Sequence, residues 1–198
     1  MSSNFEPLVY LNFLSSEKID KVIYLDRDGV LLKPVIREEE ISSARIKLEV
    51  CIYDDVETFG REAKSLGYTL VVVSNQPDIS RGIVSKTFLK WTNRKLSEVI
   101  PIDYYIYCTH QASMNCMCRK PKIGMISYFR SIHMSKGASE IMVGDRIVDY
   151  QLAQKIGIDF ILRNQTYNCS IDSAVNFLNV PRINNLNDIW TIIKDVRC

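Results

Sequence analysis

Asp26-Arg27-Asp28-Gly29-Val30 sets two carboxylates two residues apart, directly after the apolar run Val22-Ile23-Tyr24-Leu25. A carboxylate can attack phosphorus, but a phosphate ester is itself an anion. Attack therefore needs a divalent cation to neutralise charge and hold the phosphate in line. Asp26 has the placement of that nucleophile. Asp28, in the same site, could protonate the leaving oxygen and then deprotonate the water that hydrolyses the aspartyl-phosphate. Gly29 permits a sharp exit from the strand. Taken alone, Asp-x-Asp-Gly also suits a calcium loop or an ordinary turn.

Three later segments carry groups that would complete such a site. Ser74-Asn75-Gln76 follows a β-branched run, and its hydroxyl and amides could grip phosphoryl oxygens, although Ser-Asn there is also turn chemistry. Lys120, within Cys118-Arg119-Lys120-Pro121-Lys122, offers a compact cation for both nucleophile and phosphoryl group, or belongs to a solvated basic run. Asp145, in Gly144-Asp145-Arg146-Ile147-Val148-Asp149, is a hard oxygen ligand suited to magnesium. Asp149, one helical turn later, suits a capping or outer role better than direct ligation.

A second constellation is Cys108-Thr109-His110 followed by Cys116-Met117-Cys118. Three thiolates and an imidazole match the preference of zinc for a closed tetrahedral site, and a closed site leaves no position for water, so the zinc is structural. The loop ends beside Arg119 and Lys120, so zinc would stiffen the segment that delivers those cations. Cys51, Cys169 and Cys198 have no partner at ligand spacing and are expected free.

These groups need a scaffold that brings strand ends together. Residues 22–26 and 68–74 read as buried strands around a helix at 54–66, where Val56, Phe59, Ala63 and Leu66 share one face and Gly67 ends the run. The alternation continues with helices near 85–99, 125–133 and 147–156 and strands at 103–108, 140–144 and 158–162. It predicts an α/β fold, a doubly wound parallel sheet with helices on both faces and no large cap. Ligands of such sheets bind beyond the carboxyl ends of the strands, where Asp26, Ser74 and Asp145 would meet. Residues 164–173 suggest a surface loop before a helix near 187–196.

The 198 residues suit one domain, taken as residues 21–198 after an N-terminal extension of residues 1–20. A formal net charge of +2 gives no argument for a nucleic-acid partner. With neither a signal-peptide pattern nor a run of about 18 apolar residues, a soluble, monomeric cytoplasmic protein without membrane contact is expected, its cysteines thiols or metal ligands.

In their order, the four chemical segments resemble the four motifs of the haloacid dehalogenase superfamily, from about residue 22 to 162. The resemblance implies Asp26 as nucleophile and Mg2+ ligand, and Asp28 as general acid/base that also gives the metal its backbone carbonyl. Ser74 and Lys120 become phosphoryl stabilisers, and Asp145 the remaining Mg2+ ligand. The Cys/His array looks like the Zn2+ loop of the subfamily containing D-glycero-D-manno-heptose 1,7-bisphosphate 7-phosphatases and histidinol-phosphate phosphatases. Ser-Asn-Gln-Pro-Asp-Ile-Ser-Arg-Gly (residues 74–82) and Lys-Pro-Lys-Ile-Gly-Met (residues 120–125) look like the heptose enzymes. The five-residue gap between His110 and Cys116 and the run Gly-Asp-Arg-x-x-Asp-x-Gln-Leu-Ala look more like the histidinol-phosphate enzymes. Ile123 stands where proline is common, and Ser74 where threonine is. The implied partner is a small phosphorylated metabolite, contacted by Asn75, Gln76, Arg81 and Arg119. Lys122 and residues 33–37 are also expected to reach the mouth of the site, where basic groups favour a sugar bisphosphate over the cationic amine of histidinol phosphate.

Overall fold

The computed structural model describes residues 6–12, 18–168 and 180–195. Seven strands form one sheet in the order β1-β6-β5-β2-β7-β8-β9. They are β1 (Leu8–Leu11), β2 (Ile19–Leu25), β5 (Thr69–Asn75), β6 (Tyr104–Cys108), β7 (Met134–Gly144), β8 (Asp159–Arg163) and β9 (Arg182–Ile183). All pairings in it are parallel except that of β1 with β6. A two-stranded hairpin, β3 (Val35–Arg37) and β4 (Glu40–Ser42), stands apart from it.

Alternation along the strands builds two cores. Ile23, Leu25, Leu70, Val72, Tyr105 and Tyr107 face one side, packing with α1 (Val56–Ser65), α2 (Lys86–Ser97) and α5 (Ile189–Asp195) through Val56, Phe59, Ala63, Leu89, Leu96, Ile189 and Trp190. Val22, Tyr24, Val71, Val73, Tyr104 and Ile106 face the other, against α3 (Gly124–His133) and α4 (Ile147–Ile156) through Met125, Ile126, Phe129, Leu152 and Ala153. Apolar runs are the composition a sheet covered on both faces requires. The helix ends follow from local chemistry. Gly67, at φ 80°, closes α1, and the Ser85 hydroxyl accepts from Phe88 N at 3.0 Å to cap α2.

The parallel sheet flanked by helices is the one expected, and among the described residues no large cap interrupts it. Three features differ from the sequence reading, the first being the short edge strand Arg182–Ile183 beside β8. Leu8–Leu11 supplies an antiparallel edge strand, register Leu8↔Tyr107 to Leu11↔Tyr104. Residues 33–37 are not a free loop, since Val35–Arg37 is hydrogen-bonded in the hairpin. Within the expected surface loop at 164–173, Thr166–Asn168 forms a 3-10 turn with Asn168 buried, and residues 169–173 lie outside the described set. Cys169, Cys198 and the end of the expected terminal helix also lie outside it. No helix of the described residues is long and apolar enough to cross a membrane.

Candidate active site

Because β5, β2 and β7 are neighbours in register, with Leu25 opposite both Val72 and Val143, their carboxyl ends open on one place. Asp26 follows β2 and is tied to β7 by its amide, which donates to Val143 O at 3.0 Å. Ser74 lies near the end of β5, and Asp145 follows β7. The cleft they open is about 680 Å³ and is lined by Asp26, Asp28, Ser74, Asn75, Gln76, Arg81, Arg119 and Lys120 among others.

Lys120 is buried, and its Nζ lies 2.9 Å from Asp26 Oδ1 and 2.7 Å from Asp149 Oδ1 while donating to Val73 O at 2.8 Å. Burial alone would lower its pKa. Asp149 and Asp26 outweigh that, and the pKa is raised. Asn75 brackets the lysine backbone, accepting from Lys120 N at 2.9 Å and donating to Lys120 O at 3.2 Å.

Asp28 Oδ2 accepts from Ser43 Oγ and Gln76 Nε2, each at 2.8 Å, and from buried Arg27 at 3.0 Å. Arg27 also donates to Gln76 Oε1 at 2.8 Å, and Gln76 Nε2 reaches Ser74 Oγ at 3.1 Å. Asp26 Oδ1 accepts from Arg27 N at 2.7 Å.

Behind Asp26 lies the group that fits a hard cation. Carboxylate oxygens of Asp26, Asp145 and Asp149 come within 4.8 Å of one another, all buried. Asp145 Oδ1 is buried and accepts no hydrogen bond among the described residues. Asp145 Oδ2 is bonded by Tyr167 OH, and the Asp145 carbonyl accepts from Asn168 Nδ2 at 2.7 Å. Burial first, and then Asp26 and Asp149, hold Asp145 well above the usual carboxylate range. Burial, partly offset by Lys120, lifts Asp149 to about 6. Three carboxylates against one ammonium, with one oxygen unpartnered, is an arrangement a divalent cation would complete. Gly29, at φ 90°, allows this approach, since a Cβ there would lie 2.1 Å from Asp145 Oδ2.

The Cys/His array is also assembled. Cys108, His110, Cys116 and Cys118 place their ligand atoms within 4.8 Å of one another. The sulfurs of Cys108 and Cys118 lie 3.5 and 3.6 Å from that of Cys116, and His110 Nδ1 lies 3.2 Å from Cys118 Sγ and 3.6 Å from Cys108 Sγ. A zinc tetrahedron with bonds of about 2.3 Å has sulfur edges of roughly 3.8 Å, so the cluster fits that ion with small adjustments.

Asp149 has the capping role expected of it, accepting from Arg146 N at 3.1 Å, and its ion pair with Lys120 adds a contact without local signature. Several other residues of the site escape the sequence reading. Arg27, Ser43, Tyr167 and Asn168 are found only through tertiary contact. Three expected cations are placed elsewhere. Lys122 Nζ donates to Cys116 O at 2.9 Å, within the Cys/His loop. Arg37 pairs with Glu49, and Lys33 lies over the Tyr53 ring at 5.7 Å. None of the three lines the cleft, whereas Arg45 and Arg146 do. Arg119 lines it and donates to His110 O at 3.2 Å, which ties it to the Cys/His loop.

Residues 21–167 match the family described as polynucleotide kinase 3 phosphatase. The D-glycero-beta-D-manno-heptose-1,7-bisphosphate 7-phosphatase of Photorhabdus laumondii is 31% identical over 191 residues, 88% of this chain and 96% of that protein. The histidine biosynthesis bifunctional protein HisB of Buchnera aphidicola is 30% identical over 144 residues, 70% of this chain but only 40% of that protein. Among solved structures, the D,D-heptose 1,7-bisphosphate phosphatase of B. bronchiseptica, complexed with magnesium and phosphate, has the same fold. It superposes with a TM-score of 0.72 at 20% identity, over 88% of this chain and 99% of that one. With the family match spanning most of the chain and a relative aligned over nearly its whole length, this chain belongs to the haloacid dehalogenase-like phosphatases, in the family described as polynucleotide kinase 3 phosphatase.

Proposed function

We propose that this chain is a magnesium-dependent phosphatase that removes the 7-phosphate of D-glycero-D-manno-heptose 1,7-bisphosphate. The observation that carries the reading is the Lys120 ammonium between Asp26 and Asp149, with the unpartnered Asp145 oxygen close by. The near full-length relative that bears this activity in its name supports the substrate.

An oxygen of Asp26 attacks phosphorus, forming the aspartyl-phosphate bond as the bond to the sugar oxygen breaks. Asp28, held by Ser43, Gln76 and Arg27, gives its proton to that oxygen, so the sugar leaves as an alcohol. Asp28 then takes a proton from water, and the resulting hydroxide attacks phosphorus and frees Asp26 with release of phosphate. Lys120 and Ser74 hold the phosphoryl oxygens, and Asn75 and Gln76 fix Lys120 and Asp28. Asp26, Asp145 and the Asp28 carbonyl would hold magnesium, which would supply the positive charge that lets one anion approach another. Zinc in the Cys108, His110, Cys116 and Cys118 site stiffens the loop that carries Arg119 and Lys120. Arg119 and Arg81 contact the part of the substrate that is not cleaved.

A cleft edged by guanidinium groups suits a second phosphate and opposes the amine of histidinol phosphate. The test is kcat/KM of purified protein for both substrates. A preference of about tenfold or more for the heptose bisphosphate, roughly 1.4 kcal/mol, is expected. A preference for histidinol phosphate would overturn the substrate assignment and leave the phosphatase chemistry in place.

A further inference from the structure

Asp78 is a carboxylate placed where an anion-binding site should least tolerate one. It lines the same cleft as Asp26 and Lys120, and its side chain is only 11% exposed. Two guanidinium groups grip it from different parts of the chain. Arg45 Nε lies 2.8 Å from Oδ2, and Arg81 Nη1 lies 3.0 Å from Oδ1. Burial would raise the Asp78 pKa, but the two arginines outweigh it and hold the carboxyl low, so it stays ionised and keeps both cations in place. Two guanidinium charges exceed one carboxylate charge, and the group presents net positive charge to the cleft.

The engaged atoms leave the recognition atoms available. Arg45 spends Nε on Asp78, and no described bond uses either of its Nη groups. The Arg45 segment is braced independently. Its backbone N donates to Glu49 Oε2 at 2.7 Å, and Ser43, two residues earlier, donates to Asp28 at 2.8 Å. The Asp78 carbonyl is fixed by Ile83 N at 2.9 Å and Val84 N at 3.1 Å. A guanidinium pinned at one nitrogen loses less freedom when it binds, and its paired nitrogens match the oxygens of a phosphate.

We propose that Arg45, anchored by Asp78 beside Arg81, is a specificity residue that binds the phosphate of the sugar bisphosphate that is not cleaved. The inference rests on the bisphosphatase reading and adds to it a residue that the motifs do not indicate. A purely structural tie between the 43–45 and 76–84 segments would affect every substrate alike. A subsite for the second phosphate affects only substrates that carry one.

The experiment measures kcat/KM for D-glycero-D-manno-heptose 1,7-bisphosphate and for the corresponding 7-phosphate, which has the same scissile ester and lacks the second phosphate. Para-nitrophenyl phosphate serves as a further monoester, and the proteins are wild type, Arg45→Ala and Arg45→Lys. The ratio of bisphosphate to 7-phosphate efficiency is expected to fall tenfold or more in Arg45→Ala, mainly through KM, and by less in Arg45→Lys, which keeps a charge. A ratio within twofold of wild type, or an equal loss on all three substrates, overturns the proposal while the bisphosphatase reading stands. Wild-type protein that hydrolyses para-nitrophenyl phosphate but neither heptose ester overturns both.

Discussion

The ammonium of Lys120 lies 2.9 Å from the Asp26 carboxylate, the group proposed to attack phosphorus. An ion pair at that distance holds the proposed nucleophile in place, and it leaves a cation in position as charge develops on the phosphoryl oxygens. The second contact of the same nitrogen, 2.7 Å to Asp149, helps fix the lysine in place.

Replacing Lys120 with Met removes this charge and keeps most of the volume. Loss of one such stabilising group is expected to lower kcat by about 10²–10³. Asp26, Asp145 and Asp149 would then face one another without the ammonium. Breaking a buried pair costs about 3–5 kcal/mol, so the melting temperature should fall as well. Steady-state kinetics and a thermal melt check both effects, and a kcat within about tenfold of wild type would exclude the role.

The carboxylate cluster predicts how metal and pH act together. Asp145 is held above the ordinary range, and Asp149 is raised to about 6. A carboxyl whose folded pKa exceeds its unfolded value stabilises most below the unfolded value, and that contribution is lost as pH rises through the folded one. Metal-free protein should therefore lose stability between the ordinary carboxylate range and about pH 6. Magnesium should restore it with release of protons. At a concentration near 100 Kd the gain is about 2.7 kcal/mol, or roughly 5–10 °C in Tm, at pH 7.5, and it should shrink at pH 5. Melting curves with and without magnesium at the two pH values measure this. A larger shift at the lower pH would contradict it.

The proposed binding of zinc by the Cys/His cluster predicts about one zinc per chain in protein purified without chelators. Cys116→Ser should lose the metal and lower Tm, because Cys116 Sγ lies against the sulfurs of both Cys108 and Cys118. Arg119 donates to the His110 carbonyl, so substrate capture should weaken in this variant more than the chemical step. Elemental analysis and the separate changes in KM and kcat decide it.

What the sequence made legible follows from locality. Asp26, Ser74 and Asp145 each end an apolar run, and the rule that ligands meet the carboxyl ends of parallel strands is enough to bring them together. The Cys/His array spans eleven positions and could be read from spacing alone. Other residues depended on contacts remote in the chain. Ser43 reaches Asp28, Arg45 reaches Asp78 and Tyr167 reaches Asp145, with no repeating spacing to reveal them. The hairpin β3–β4 was missed for a chemical reason. Its turn places Glu38 and Glu39 at φ 47° and 65°, where Asn-Gly would be the usual signal. That hairpin carries Arg37 to Glu49, which is why the basic residues of the segment do not reach the cleft as their sequence position suggested.

The most direct test of the account is the kcat of Asp26→Asn with magnesium present. The substitution keeps the size of the side chain and removes the attacking oxygen's charge, and the fold should persist because it also relieves repulsion from Asp145. Uncatalysed hydrolysis of phosphate monoesters is among the slowest reactions known, so the account predicts that activity falls by about 10³ or more while the protein remains folded. Retention of more than about a tenth of wild-type kcat, a barrier change under about 1.4 kcal/mol, would contradict attack by Asp26.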